Sequence, residues 1–212
     1  MTLYLHDADV SELLPLQDAV TCVEQAFRLL SEGTAVNVVR RRTLVEHVSL
    51  NVMWAAAPTL GVLGVKEYPV VRGDVTQGAV LTLLLHSFTT GELLAVVKAD
   101  RLGQLRTGAA SAVATRVLAR PDSQTLAVYG CGFQAETQVL AQAAVLPQLR
   151  AVRVVGRGAQ RRDEFVSRIR RALDIEVTTA HPQEAAESKP IKFTRLQDNE
   201  LIKVAPVPIQ DY

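Results

Sequence analysis

The residues best suited to chemistry lie in one short run, Gly130-Cys131-Gly132-Phe133-Gln134-Ala135. It fits the pattern GxGxxA. A compact β-rich stretch, Thr125 to Tyr129, precedes it directly, and helical periodicity follows it to Val145. Gly130 permits a tight turn, Gly132 lets the backbone approach a pyrophosphate, and Ala135 lets helix and strand pack closely. The free N–H groups of the helix start, with their partial positive charge, suit phosphates. Gly130, Gly132, Gln134 and Ala135 are therefore candidate contacts to a bound dinucleotide, and the chemistry such a cofactor brings is hydride transfer.

A cofactor with a free ribose 2′-hydroxyl usually meets an Asp or Glu about 20 residues further on, at the end of the second strand. Gly156 and Arg157 stand there instead. An arginine suits a 2′-phosphate, so of NADP and NAD the former is expected, with Arg157 as its contact. The competing role for Arg157 is that of a solvated loop arginine.

The elements that must hold these residues alternate: strand Thr125 to Tyr129, helix Phe133 to Val145, strand Ala151 to Val155, helix Gln160 to Leu173, strand Ile175 to Thr178. That alternation predicts a right-handed parallel unit. In its second helix Phe165, Ile169 and Ala172 are expected to face the sheet, with Arg161, Arg162, Arg168 and Arg171 mostly toward water. The first half reads differently. Pro15 to Leu30 carries Leu16, Val20, Val23, Phe27 and Leu30 at helical spacing. Short β-rich runs follow: Val48 to Trp54, Val62 to Val71, Ala79 to Phe88 and Leu93 to Ala99. The last two are joined by a hairpin loop at Thr89 to Glu92, which predicts a mostly antiparallel sheet. A helix from Asp100 to Ala119 has an unusually small centre, Gly108 to Ala112, that invites another backbone close. Arg120 to Ser123 breaks it. The expected fold class is α/β: an N-terminal α+β domain over residues 1–120, a partial Rossmann-like parallel domain over 121–186, and an unassigned tail over 187–212.

Composition removes other classes of function. The formal net charge is +1, which gives no global field for nucleic acid or membrane. The arginines between Arg153 and Arg171 are interrupted by Asp163 and Glu164 and lack interleaved aromatics, so no nucleic-acid partner is expected. Two cysteines, Cys22 and Cys131, form no disulfide framework. His6, His47, His86 and His181 lack ligand spacing, so no metal is expected. His6, Asp7 and Asp9 stand where an export signal would need a basic start and an apolar run. The apolar stretches, such as Ala79 to Leu85, fall far short of the roughly 20 residues that span a bilayer. A cytoplasmic protein is expected.

The run Ala99-Asp100-Arg101-Leu102-Gly103-Gln104-Leu105-Arg106-Thr107-Gly108-Ala109-Ala110-Ser111, then Leu118-Ala119-Arg120, then the glycine turn, resembles the ornithine cyclodeaminase and mu-crystallin family. The similarity extends from about the first helix through Ala186 and includes Gly64-Val65-Lys66 and the hairpin. It implies a homodimeric NAD- or NADP-dependent oxidoreductase, with a Rossmann domain and a substrate and dimerisation domain, acting on a small amino or imino acid. It further implies that Lys66 and Arg106 contact the substrate carboxylate. For a third basic contact Arg40, Arg41 and Arg42 compete: spacing from the first helix favours Arg40, spacing back from Lys66 favours Arg42. Thr107 resembles the family threonine that meets the cofactor phosphates, and a local helix cap is its competing role.

Family members are longer and carry an acidic catalytic residue in a later part that this sequence lacks, so no catalytic residue is assigned. After Ala186 the expected apolar strand at the sheet centre gives way to Glu187-Ser188-Lys189-Pro190-Ile191-Lys192-Phe193. A half-sheet with one edge and one face uncovered is the expectation. The alternative function is a truncated, non-catalytic binder of a nucleotide or small ligand.

Overall fold

The computed structural model describes residues 1–72, 80–187 and 191–193, the backbone alone at 186–187 and 191–193. Strand β1 (Leu3–Leu5) leads to α1 (Asp7–Leu13) and α2 (Leu16–Ser31). Then come β2 (Val36–Asn37), β3 (Arg41–Val45), β4 (Val48–Ala57), a 3-10 turn (Pro58–Leu60), β5 (Val62–Val71), β6 (Thr82–Ser87) and β7 (Leu93–Lys98). They form a seven-stranded sheet in the order β1-β7-β6-β5-β4-β2, with β3 also on β4. Every pairing is antiparallel except β1 on β7. Residues 73–79, which hold the predicted start of β6 at Ala79, lie outside the described residues.

One face of this sheet is covered by α2 and by α3 (Asp100–Leu118). Ala95 and Val97 from β7, Ala19 and Val20 from α2, and Leu105, Ala109 and Ala112 from α3 form a buried cluster. The apolar spacing read for α2 is correct, but only its first half is used: Val20 is fully buried, while Phe27 and Leu30 are exposed. Among the described residues nothing covers these two side chains of its second half.

Two acidic side chains, Asp7 from α1 and Asp100 of α3 itself, fix the start of α3. Asp7 Oδ1 accepts the Arg101 N–H at 2.7 Å, and Asp100 Oδ1 accepts the Leu81 N–H at 3.2 Å. The first contact satisfies a free donor of a helix start with negative charge, which is favourable at that end of the dipole.

The second sheet holds β8 (Thr125–Tyr129), β9 (Ala151–Val155), β10 (Glu176–Thr179) and β11 (Ile191–Phe193), in the order β10-β9-β8-β11, all parallel. Crossover helices α4 (Ala135–Val145), α5 (Ala159–Ala172) and α6 (Pro182–Glu187) connect them. Leu126, Val139, Val152, Val154, Phe165, Ile169 and Val177 are buried together. Burying each such side chain stabilises by about 1.5–3 kcal/mol relative to exposure.

Several expectations need correction. Ile191-Lys192-Phe193 does not displace the central strand; it is a strand, in register with Leu126, Ala127 and Val128 of β8. The open N–H and C=O groups along β8 supply the pairing, and that edge is covered. Part of the tail thus has a place, and α6 precedes it, beginning at Pro182. In α5 the third inward position is Val166, not Ala172, which is exposed, and Arg162 and Arg168 are half-buried rather than solvated. Among the described residues no helix is long and apolar enough to cross a membrane.

Candidate functional site

The glycine turn joins β8 to α4. Gly130 has φ +108°, a conformation that side chains disfavour, and its N–H bonds Val155 O at 2.8 Å, which pins the turn to the end of β9. A Cβ at Gly132 would meet nothing within 4 Å, so the backbone there lies open to a ligand. The helix begins at Ala135, two residues later than read from the sequence, with Gln134 as its N-cap. Gly130, Gly132, Gln134 and Ala135 line one cavity of about 370 Å³, together with Ser111 of α3 and Gln138 and Gln142 of α4. Four of the candidate cofactor contacts therefore share one concave surface.

Arg157 sits just beyond β9, exposed. Beside it, Gly156 is crowded from two sides: a Cβ there would lie 2.9 Å from Cys131 Sγ and 3.6 Å from Arg162 Cβ. A side chain at 156 would have to displace Cys131 Sγ, so the position suits glycine better than the carboxylate that reads a 2′-hydroxyl. Burial raises the Cys131 thiol above the ordinary cysteine value, while the charges of Arg162 and Arg168 oppose that rise.

Thr107 belongs to the interior of α3, which starts at Asp100, so the helix-cap role does not apply. Its hydroxyl donates to Gly103 O at 2.6 Å, and its carbonyl accepts from Gln138 Nε2 at 3.3 Å. Gln104 Nε2 donates to Phe133 O in the glycine turn at 2.6 Å. These bonds hold the Thr107 face of α3 against the turn. Thr107 itself, like Arg157, is not among the residues that line the cavity.

The basic candidates gather on the sheet face that α3 covers. Lys66 pairs with Leu83 across the sheet and is half-buried, its Nζ 5.6 Å from the centroid of the Tyr68 ring. Burial, then the positive charges of Arg106 and Arg40, push its ammonium below the ordinary lysine value. Arg40 precedes β3 and its Nη1 donates to Tyr68 Oη at 3.1 Å. Arg42 is committed elsewhere, its Nε donating to Oδ1 of the buried Asn51 at 2.9 Å. Arg41, its neighbour on β3, points to the opposite face by the alternation of the strand. Lys66, Arg106 and Arg40 thus come together, and no carboxylate among the described residues bridges to them. Tyr68, which joins Arg40 to Lys66, was missed; its position two residues after Lys66 was the available signal, since it places both on one face.

Among the described residues, most of the buried polar atoms without partners lie in the cavity wall. Gln142, fully buried, has neither Nε2 nor Oε1 bonded, and Gln134 Oε1, Gln138 Oε1 and Thr137 Oγ1 are likewise unpartnered. Four of the five residues concerned belong to α4 or its cap; the fifth is Arg162 of α5, whose buried Nε is likewise unpartnered.

The sequence matches the model of the ornithine cyclodeaminase/mu-crystallin family over residues 1–209, well past the Ala186 limit of the sequence resemblance. Alanine dehydrogenase of Archaeoglobus fulgidus is 34% identical over 141 residues, covering 65% of this chain and 43% of that protein. The solved Δ1-pyrroline-2-carboxylate reductase of Thermococcus litoralis, in complex with NADH and L-proline, superposes with TM-score 0.81 at 29% identity, over 88% of this chain and 59% of the other. An archaeal alanine dehydrogenase dimer with bound NAD superposes with TM-score 0.80 at 30% identity, over 87% of this chain and 57% of the other. The chain spans about half the length of the curated relatives it matches. With a glycine turn, a cationic cluster and a small-residue helix between them, the chain belongs to the ornithine cyclodeaminase/mu-crystallin family.

Proposed function

We propose that the chain holds a nicotinamide dinucleotide at the glycine turn and a small amino or imino acid at the cationic cluster, for NAD(P)-dependent oxidoreduction of the ornithine cyclodeaminase, ketimine reductase or alanine dehydrogenase type. The convergence of Lys66, Arg106 and Arg40 beside a helix that also braces the glycine turn carries this reading. Clustered cations raise one another's energy, and an entering carboxylate relieves that cost. The clamp fixes the substrate carboxylate and with it the Cα, so that orientation supplies much of the rate gain. The bound cofactor supplies hydride transfer.

Residues 1–120 act in this reading as the substrate and dimerisation part and 121–186 as the dinucleotide part. Gly130, Gly132, Gln134, Ala135 and Thr107 hold the phosphates, and Arg157 favours NADP over NAD. The sheet face opposite α3 exposes Leu50 and Trp54, which suits a second copy in a homodimer. Hydride transfer followed at the nicotinamide absorbance, with cyclic imines, pyruvate plus ammonia, and ornithine as substrates, tests the proposal. Turnover with one of them is expected. Cofactor binding without turnover would assign the chain to ligand binding alone, and absence of cofactor binding would overturn the reading.

A further inference from the structure

The end of β9 holds a cation that the motif does not announce. Arg162, in the first turns of α5, lays its aliphatic stem across Gly156, with Cβ and Cγ 3.6 and 3.7 Å from where a Cβ of Gly156 would stand. Its Nη1 donates weakly to Gly156 O at 3.4 Å. The side chain is 28% exposed, with its Nε buried. Its nearest acid is Asp163, with Oδ1 3.6 Å from Nε, outside hydrogen-bond reach. A guanidinium has five N–H donors, so most of this one's are uncommitted.

The neighbouring arginines differ. Arg168 Nε donates to Glu136 Oε2 at 3.0 Å, and Arg153 is paired with Glu176 at 2.6 Å. Among the described residues Arg162 is the half-buried cation at the C-terminal end of β9 whose carboxylate neighbour, Asp163 at 3.6 Å, lies outside hydrogen-bond reach. In a parallel α/β sheet ligands bind outside that end of the strands, and the adenosine ribose lies at the end of the second strand. Cys131 Sγ and the Arg162 stem together fill the space that a side chain at Gly156 would use.

We propose that Arg162 is a second specificity-determining residue, acting with Arg157 to bind the 2′-phosphate of NADP, and that Cys131 keeps Gly156 bare so that Arg162 can cross it. This rests on the dinucleotide reading above. Arg162 is preorganised by its packed stem, and Arg157 closes over the phosphate from the solvent side. A charge-assisted bond to phosphate is stronger than a neutral one.

Calorimetric titration of NADPH, NADH and 2′,5′-ADP against the wild-type chain, Arg162→Gln, Arg162→Lys and Arg157→Gln tests it. The wild type is expected to prefer NADPH. Arg162→Gln should weaken NADPH and 2′,5′-ADP about tenfold or more and leave NADH nearly unchanged, since a lost bond to a charged group costs about 1.5–3 kcal/mol. Arg162→Lys should recover part of the loss. An equal loss for NADH and NADPH in Arg162→Gln would mark a structural role and overturn the proposal, as would unchanged NADPH affinity. Wild-type preference for NADH overturns it while leaving the dinucleotide reading standing. Failure to bind any of the three ligands overturns both.

Discussion

Gly108 of α3 lies against the main chain of Thr137 in α4, so closely that a Cβ at 108 would come within 2.7 Å of the Thr137 carbonyl oxygen. A carbonyl locked in a helix cannot move aside. Gly108→Ala would gain about 1 kcal/mol of helix propensity elsewhere, but here the overlap outweighs it. Overpacking of this kind costs about 1–3 kcal/mol, so the variant should unfold earlier in a thermal or urea melt. An unchanged or raised melting temperature would show that the helices are not held this close.

Lys66 gives a pH dependence. Its ammonium is held below the ordinary lysine value of 10.5, by burial first and then by Arg106 and Arg40. Between the lowered folded value and the unfolded one, the unfolded chain binds more protons, so this group's contribution to stability improves as pH rises through that window. Carboxylate binding works in the opposite sense. A bound anion favours charged Lys66, so binding takes up protons in the same window, and substrate affinity should fall as pH rises through it. In Lys66→Met that alkaline limb should disappear and affinity should be low throughout, as measured by titration with a carboxylate substrate.

Arg40 and Arg42 separate ligand binding from stability. Arg42 satisfies the buried Asn51, and its loss leaves that amide short of a partner, at a cost of about 1–3 kcal/mol. Among the described residues Arg40 bonds the exposed hydroxyl of Tyr68. Arg40→Ala should therefore weaken carboxylate binding with little change in the melt, and Arg42→Ala should lower the melt first. A reversed pattern would move the third basic contact to Arg42.

Gln142 is fully buried, with both amide ends unpartnered among the described residues. Gln142→Met keeps the length of the side chain and removes the polar atoms. The variant should be as stable as the wild type or more so, by up to about 1–3 kcal/mol. A clear loss in chemical denaturation would show that the amide has a partner in the working protein.

Much of this was legible in the residues. Strands β5, β8 and β9 fall on the boundaries read from their β-rich runs, because each combines β-branched residues with clear breakers at its ends. The glycine turn was legible because Gly130 and Gly132 answer to backbone geometry rather than to neighbours. Elements that depend on neighbours were not. β1 and β11 are three residues each, too short for a period to register, and they exist because β7 and β8 offer open edges. Arg162 looked solvated in helical spacing, since nothing local reveals that Gly156 leaves room for its stem. The choice between Arg40 and Arg42 depended on register: Arg42 stands opposite Asn51, and sequence spacing does not contain that pairing.

Ala141, on the helix that begins at the glycine turn, is buried in the core of the other sheet, among Val20, Val97 and Ala109. That helix is therefore a shared beam. Whatever loads its first turn also loads the packing under the cationic cluster, so a dinucleotide should slow amide exchange in β7 and α3 as well as around Gly130. The carboxylate pocket would then be tuned by occupancy of the turn rather than fixed in advance, and order of binding becomes a property of the scaffold.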